Sequence, residues 1–252
     1  MKEELLFYNA YQDFYKMASE REVFKTYCKK AFGEDFSQDG FSDVNQLNKI
    51  LGMVDLDANS CVLDIGCGNG KMLEYIHNKM SAEIYGFDYS ENAINSAVHR
   101  IGNSGNFQVA LIGDVEYQEN KFDLITSMDT IYFAPDMSVF VSQIYKWLKP
   151  LGSFICGYQE GDIMDKTENY DTTEMAKAFK QNGLKYEVSN YTKETYEMLK
   201  HKREVIVSMQ EDFKRAGIEM WCEVVKSQTD SILVSYDDYR KKNSRYIYTF
   251  KK

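Results

Sequence analysis

The sequence predicts an α/β fold in which a mostly parallel sheet carries helices on both faces. From residue 60 onward, short apolar runs alternate with helical stretches, a pattern typical of a parallel sheet. A glycine-rich turn, Gly66 to Gly70, links the first apolar run to a helix, at the edge where such sheets bind ligands. With 252 residues, 44% of them hydrophobic, the chain can form one compact unit with an appended cap.

Residues 1–57 are predicted to form a helical cap segment. Aromatic residues recur there at helical spacing: Phe7, Tyr8, Tyr11, Phe14 and Tyr15. Such a stripe is interpreted first as core packing and second as an apolar or cation-binding pocket. A turn-rich stretch, residues 33–40, precedes a short helix over about 44–54 that leads into the first strand.

The sheet core is predicted over residues 58–192 and 243–252. Its expected strands are 61–65, 84–87, 107–112, 122–127, 153–157, 186–191 and 245–250. Its expected helices are 71–79, 91–101, 137–148 and 173–182. A helical insertion is expected over 193–242, beginning with one long helix to Ala216 that Thr192 caps and Gly217 ends.

Composition and charge exclude several classes of function. A formal net charge of −9 disfavours binding to nucleic acid and to anionic membranes, and no apolar run is long enough to span a bilayer. The cysteines and histidines form no metal-ligand pattern, so no metal is expected. Scattered cysteines and an N-terminus without an apolar leader lead us to expect a cytoplasmic protein.

The segment Val62 to Gly70 combines an apolar strand, a carboxylate at Asp64 and three glycines before a helix. A carboxylate beside the loop disfavours a dinucleotide pyrophosphate but suits the ammonium and sulfonium charges of S-adenosylmethionine. Lys71 stands where a dinucleotide fingerprint has its third glycine, which is a further mismatch. The motif therefore predicts an S-adenosylmethionine site.

Two later strands also end in carboxylates. Asp88 follows the second strand at an interval suited to binding ribose hydroxyls, although it could instead cap the next helix. Tyr89 offers a ring beside the adenine, and Asp114 could accept a hydrogen bond from the adenine amine or be an ordinary turn residue. The expected cofactor contacts are Asp64, Gly66, Cys67, Gly68, Asn69, Gly70, Asp88, Tyr89, Ser90, Asp114, Val115 and Met128.

These motifs resemble the class I S-adenosylmethionine-dependent methyltransferases, and within them the small-molecule group called methyltransferase type 11. Residues 122–129 and 147–154 also match, with Pro150-Leu-Gly in place of the usual Pro-Gly-Gly. The resemblance implies a Rossmann-like, doubly wound, seven-stranded sheet of order 3-2-1-4-5-7-6 with strand 7 antiparallel. It also implies methyl transfer to a small molecule, a cap built from both helical segments, and residues 40–47 near the methionine end of the cofactor.

Methyl transfer from a sulfonium is an in-line displacement that depends mainly on positioning and exclusion of water. If a base is needed, Asp129 and Tyr132 after the fourth strand are the candidates, with a role in the loop or pocket wall as the alternative. A non-catalytic S-adenosylmethionine-binding protein stays open as a second function, and a nicotinamide-dependent oxidoreductase as a third. The identity of the methyl acceptor and the oligomeric state do not follow from the sequence.

Overall fold

A computed structural model describes residues 7–37 and 40–252 of the chain. Expectations that fall on residues 1–6, 38 and 39 lie outside the described residues. Three helices precede the first strand: α1 (Tyr8–Glu20), α2 (Glu22–Phe32) and α3 (Val44–Leu51). Helix α3 begins where the side chain of Asp43 accepts a hydrogen bond of 2.8 Å from the backbone N–H of Gln46, an N-cap that satisfies one of the free donors of the first turn.

Strands and helices then alternate along the chain. The strands are β1 (Cys61–Ile65), β2 (Glu83–Asp88), β3 (Gly105–Val109), β4 (Phe122–Met128), β5 (Leu148–Glu160), β6 (Glu187–Asn190) and β7 (Ser244–Lys251). The helices between them are α4 (Lys71–Met80), α5 (Glu91–Ile101), α6 (Met137–Trp147) and α7 (Glu174–Gln181). Strand β3 ends before the expected residue 112 because β2, its partner, ends at Asp88.

The strand order is β3-β2-β1-β4-β5-β7-β6, which confirms the order implied by the family resemblance. Strands β1 to β5 pair in parallel, whereas β7 runs antiparallel to both β5 and β6. In the centre, Asp64 of β1 lies between Gly86 of β2 and Thr126 of β4. The carboxyl ends of three parallel strands therefore meet at one edge of the sheet.

Both faces of the sheet are covered, as a doubly wound fold requires. Val62, Leu63 and Ile65 of β1 have no exposed surface. Val62 packs into the cluster that contains the N-terminal helices, whereas Leu63 and Ile65 pack on the opposite face against α6 and α7. Alternate residues of one strand thus serve two layers of helices, because successive side chains of a strand point to opposite faces.

Four helices fill the insertion between β6 and β7: α8 (Thr192–Ser208), α9 (Gln210–Arg215), α10 (Glu219–Ser227) and α11 (Tyr236–Lys242). The prediction of a single long helix from 193 to 216 is wrong, because the helix is interrupted at Met209, between α8 and α9. Thr192 does not cap α8 either. It is the first helical residue, and its hydroxyl accepts a hydrogen bond from the backbone N–H of Arg245 instead.

The insertion packs behind the N-terminal helices. Phe213 of α9 contacts the rings of Phe24 and Tyr27 in α2, with centroids 6.5 and 6.0 Å apart, and Trp221 of α10 contacts Phe14 of α1. Within the described residues, no helix is both long and apolar enough to cross a membrane.

Leu124 in the central strand β4 is fully buried, whereas Leu151 near the start of β5 is 83% exposed. We expect Leu124→Ala to lower the free energy of unfolding by about 2 to 5 kcal/mol, because it removes apolar contacts and leaves a cavity. The matched change Leu151→Ala should alter it by less than about 0.5 kcal/mol. Chemical denaturation monitored by circular dichroism measures both, and equal effects would contradict the assigned core.

Candidate active site

A cavity of about 310 Å³ opens at the sheet edge where β1, β2 and β4 end. This volume lies within the range of small-molecule sites, roughly 300 to 1,000 Å³. Its lining contains most of the cofactor contacts expected from the sequence: Asp64, Gly66, Cys67, Gly68, Asn69, Asp88, Tyr89 and Met128. The four others do not line it: Gly70, Ser90, Asp114 and Val115.

The glycine loop after β1 forms one wall of the cavity. Gly66 has a φ of 69°, and a Cβ at this position would lie 2.5 Å from Cγ2 of Thr130. Thr130 is fixed there because its hydroxyl donates a hydrogen bond of 2.6 Å to the carbonyl of Ile65. Gly68 also has a positive φ, and a Cβ there would clash with the hydroxyl of Tyr15. The glycines therefore let neighbouring segments approach the loop closely.

The loop is held from outside the cavity by two cations. Lys71 donates hydrogen bonds to Asp35 (2.5 Å) and to the hydroxyl of Ser37 (2.9 Å). Arg100 donates to the carbonyl of Asn69 (2.6 Å) and forms an ion pair with Glu74. Both positive charges are thus paired with carboxylates that do not line the cavity. Within residues 7–37 and 40–252, the lining contains no lysine or arginine.

Asp64 lies at the centre of the site and is 5% exposed. Its Oδ1 accepts a hydrogen bond of 2.7 Å from the hydroxyl of Thr126 on the neighbouring strand. Among the described residues, no ion pair involves this carboxylate. A buried carboxylate without a cation is costly, so this arrangement suits a ligand that carries a positive charge.

Asp88, at the end of β2, is also buried and bonds to backbone groups. Its two oxygens accept hydrogen bonds from the N–H groups of Gly68 (3.0 Å) and Ser90 (2.8 Å). Asp88 does not cap α5. That cap is Ser90, whose hydroxyl accepts a hydrogen bond from the N–H of Ala93. Ser90 thus has a structural role here, and Asp88 joins the glycine loop to the second strand while still facing the cavity.

The two carboxyl groups have raised pKa values. Burial raises the pKa of Asp64 to about 7, the hydrogen bond from Thr126 opposes that rise, and repulsion from Asp88 adds to it. Burial also raises the pKa of Asp88 to about 6, against its backbone hydrogen bonds. Both shifts reflect the free-energy cost of negative charge in this cavity without a bound cation.

Tyr89 and residues 110–112 also line the cavity. A second cavity, of about 400 Å³, shares Tyr89 with the first, and Asp114 and Val115 line this second cavity instead of the first. Asp114 and Val115 therefore lie outside the lining of the first cavity, and their contacts with the cofactor stay a prediction. Strand β3 ends at Val109, and residues 110–112, which follow it, line the first cavity.

Helix α1 covers one side of the cavity, although its aromatic residues are predicted from the sequence to serve first as core packing. Tyr11 and Tyr15 line the cavity, and the ring of Tyr11 lies 6.0 Å from that of Tyr89. Gln12 fixes the helix, because its side-chain oxygen accepts hydrogen bonds from the hydroxyl of Ser90 (2.8 Å) and the N–H of Asn92 (3.0 Å). The helical spacing of these aromatic residues is the signal in the sequence, and it is compatible both with core packing and with a pocket wall.

The two candidate bases lie after β4. Asp129 lines the cavity, but its Oδ1 forms an ion pair with Arg245 and its Oδ2 accepts a hydrogen bond of 3.4 Å from the N–H of Phe41. Tyr132 does not line the cavity, and burial raises the pKa of its phenol well above the usual range. Neither environment favours proton abstraction. Phe133, which the sequence did not single out, does line the cavity.

The groups that line the cavity fit one class of ligand. Two buried carboxylates, a glycine loop and flanking aromatic rings fit a ligand with an ammonium group, hydroxyls and a flat ring system, as S-adenosylmethionine has. Among residues 7–37 and 40–252, no three histidine, cysteine, aspartate or glutamate side chains come together as a metal site.

A model of a methyltransferase domain family matches residues 56–212. The phosphoethanolamine N-methyltransferase of Plasmodium falciparum is 35% identical over 149 residues, which cover 55% of this chain and 54% of that protein. Phosphoethanolamine N-methyltransferase 3 of Arabidopsis thaliana is 36% identical over 130 residues, 50% of this chain and 26% of that protein. The chain thus spans about half, or less, of the length of these curated relatives.

Two solved structures share the fold. Phosphoethanolamine N-methyltransferase 2 of Haemonchus contortus, in complex with S-adenosyl-L-methionine, has a TM-score of 0.77 and 22% identity, covering 96% of this chain and 60% of that one. A cyclopropane synthase of Mycobacterium tuberculosis has a TM-score of 0.71 and 14% identity, covering 96% and 98%. At these identities the similarity concerns the fold alone.

We expect Asp64→Asn to weaken binding of S-adenosylhomocysteine by about 1 to 3 kcal/mol, because it removes a charged hydrogen-bond acceptor from the site. Isothermal titration calorimetry measures this change. The control is Asp237→Asn, since Asp237 is an exposed residue of α11 outside the lining. Wild-type affinity in Asp64→Asn would contradict the assignment of Asp64.

The raised pKa of Asp64 also predicts a pH dependence of stability. Because the folded state binds the Asp64 proton more tightly than the unfolded state does, protonation of Asp64 stabilises the folded protein. This stabilisation is complete below about pH 4 and is lost as the pH rises through about 7. The melting temperature of the ligand-free wild type should therefore fall, relative to that of Asp64→Asn, between pH 5 and pH 8. Scanning calorimetry of both proteins tests this, and parallel curves would contradict it.

Proposed function

The chain belongs to the S-adenosylmethionine-dependent methyltransferases, and from this membership we propose that it transfers a methyl group to the nitrogen of a small amine. The observation that carries the proposal is the carboxylate of Asp64, buried beside the glycine loop without a cationic partner in the described chain. The ammonium group of the cofactor would supply that charge.

Each part of the cofactor has residues suited to it. Asp64 would hold the ammonium group, Asp88 the ribose hydroxyls, and Tyr89 with residues 110–112 would flank the adenine. Bound there, S-adenosylmethionine supplies an electrophilic methyl group on a positively charged sulfur. The chain itself must orient the acceptor and exclude water.

The acceptor is proposed to be an amine for two reasons. Several curated relatives are named phosphoethanolamine N-methyltransferases, which favours amine acceptors of that kind. The rings of Tyr11, Tyr15 and Phe133 line the cavity, and such aromatic rings suit an amine. A phosphate group, in contrast, would find no lysine or arginine in the described lining. We therefore propose an unphosphorylated amine.

The side chains around the methyl-transfer end act mainly by positioning. Tyr11 and Tyr15 of α1 line the cavity and would shield it from water. Phe133 and Asp129, which follow β4, form another part of its wall. Because Asp129 is ion-paired and the phenol of Tyr132 is held protonated, the reactive amine would enter as the neutral base. Removal of water and fixed orientation then provide the rate enhancement.

The proposal predicts methylation of ethanolamine or N-methylethanolamine, with a kcat/KM at least about tenfold above that for phosphoethanolamine, because the cavity offers a phosphate no paired cation. Release of S-adenosylhomocysteine in a coupled assay measures these rates, and Asp64→Asn provides the low-activity control. A preference for phosphoethanolamine would overturn the choice of acceptor. Tight binding of S-adenosylhomocysteine without turnover of any amine would favour the non-catalytic alternative.

A further inference from the structure

Arg245 of β7 is fully buried, although the sequence motifs give it no role. Its Nη1 forms the ion pair with Asp129, which follows β4. Its Nη2 donates hydrogen bonds to the hydroxyl of Ser42 (3.1 Å), which precedes α3, and to the side-chain oxygen of Gln46 (3.0 Å), which lies in the first turn of α3. One guanidinium therefore joins three segments that are far apart in the chain.

The fold leaves room for this guanidinium at Gly157 of β5. A Cβ at position 157 would lie 2.7 Å from Nη2 of Arg245 and 2.9 Å from Cε of Met128. The φ of Gly157 is not positive, so close approach and not backbone conformation explains the glycine. The ring of Phe41 covers another side, with its centroid 5.6 Å from Cζ.

Stability alone does not account for this arrangement. Burying an ion pair costs desolvation energy that the attraction between the charges often only offsets. Asp129 has a φ of 62°, a left-handed backbone conformation that is unfavourable for a residue other than glycine. Nε of Arg245 is buried and has no hydrogen-bond partner among residues 7–37 and 40–252. Strained and incompletely satisfied groups of this kind cluster at functional sites.

We propose that Arg245 is a positioning residue for the acceptor end of the cavity. Ser42 and Asp129 line the cavity, whereas Arg245 does not, so it acts through them. It fixes the direction of the Asp129 carboxylate and holds the segment Phe41 to Gln46 against the end of β4. This inference rests on the proposed function, because it concerns the wall against which the acceptor would lie.

The geometry defines which substitutions test the role. Lysine keeps the charge but cannot bridge Asp129, Ser42 and Gln46 at once, because it lacks the planar fork of arginine. Gly157→Ala removes no polar group, but its Cβ would lie 2.7 Å from Nη2 and so displaces the guanidinium. As a control, Lys202→Met removes another buried cation, which donates to Gln228 and lies over Phe32, outside the lining.

The experiment compares Arg245→Lys, Gly157→Ala and Lys202→Met with the wild type. We expect the first two to raise the KM for the amine, or lower kcat, by at least about tenfold, with the affinity for S-adenosylhomocysteine within about threefold of wild type. Deuterium uptake of peptides covering residues 41–47 should rise in both. Lys202→Met should change neither the kinetics nor this uptake, even if it lowers the melting temperature.

Wild-type kinetics and uptake in Gly157→Ala and Arg245→Lys would overturn the positioning role. If Arg245→Lys fails to fold, Gly157→Ala decides the question alone. If the wild type methylates no amine, the proposed function fails, and the uptake of residues 41–47 decides the role of Arg245 without reference to turnover.

Discussion

Asp64 carries a carboxylate into the interior at the carboxyl end of the central strand, and the arrangement of the site depends on that charge. The parallel sheet sets Thr126 beside it on one side and the glycine loop above it. The cations nearest the loop, Lys71 and Arg100, are bound to Asp35 and Glu74 outside the cavity. The charge of Asp64 therefore stays available for a ligand, at the cost of a pKa raised to about 7.

The helices around the sheet complete the cavity in two layers. Helix α1 lies directly over it, joined to the start of α5 through Gln12. Helices α9 and α10 pack behind α1 and α2 through Phe213 and Trp221, and no residue from 193–242 is among those of the described chain that line the cavity. We therefore propose that the insertion supports the cover instead of forming it.

The end of the cavity beside Asp129, which we propose receives the acceptor, has a different construction from the end beside Asp64 and Asp88. Asp64 and Asp88 depend on backbone amides and a hydroxyl, whereas Asp129 is paired with Arg245 from the last strand. The antiparallel β7 makes this possible because it places Arg245 beside β5, opposite Gln159 and within reach of the end of β4. Strand β7 thus supports the part of the cavity wall that the residues after β4 form.

The sequence by itself determined the fold class, the order of the strands through the family resemblance, and the residues of the glycine loop. These follow from local patterns, since strand periodicity, glycine positions and strand-end carboxylates are read within a few residues. Asp64, Asp88 and Tyr89 were found in this way, and all three line the cavity. Only the tertiary structure decided that α1 supplies Tyr11 and Tyr15, that Asp114 lies in the neighbouring cavity, and that Arg245 holds Asp129. Those contacts join residues separated by tens to hundreds of positions, and their geometry depends on packing between elements, which no local pattern encodes.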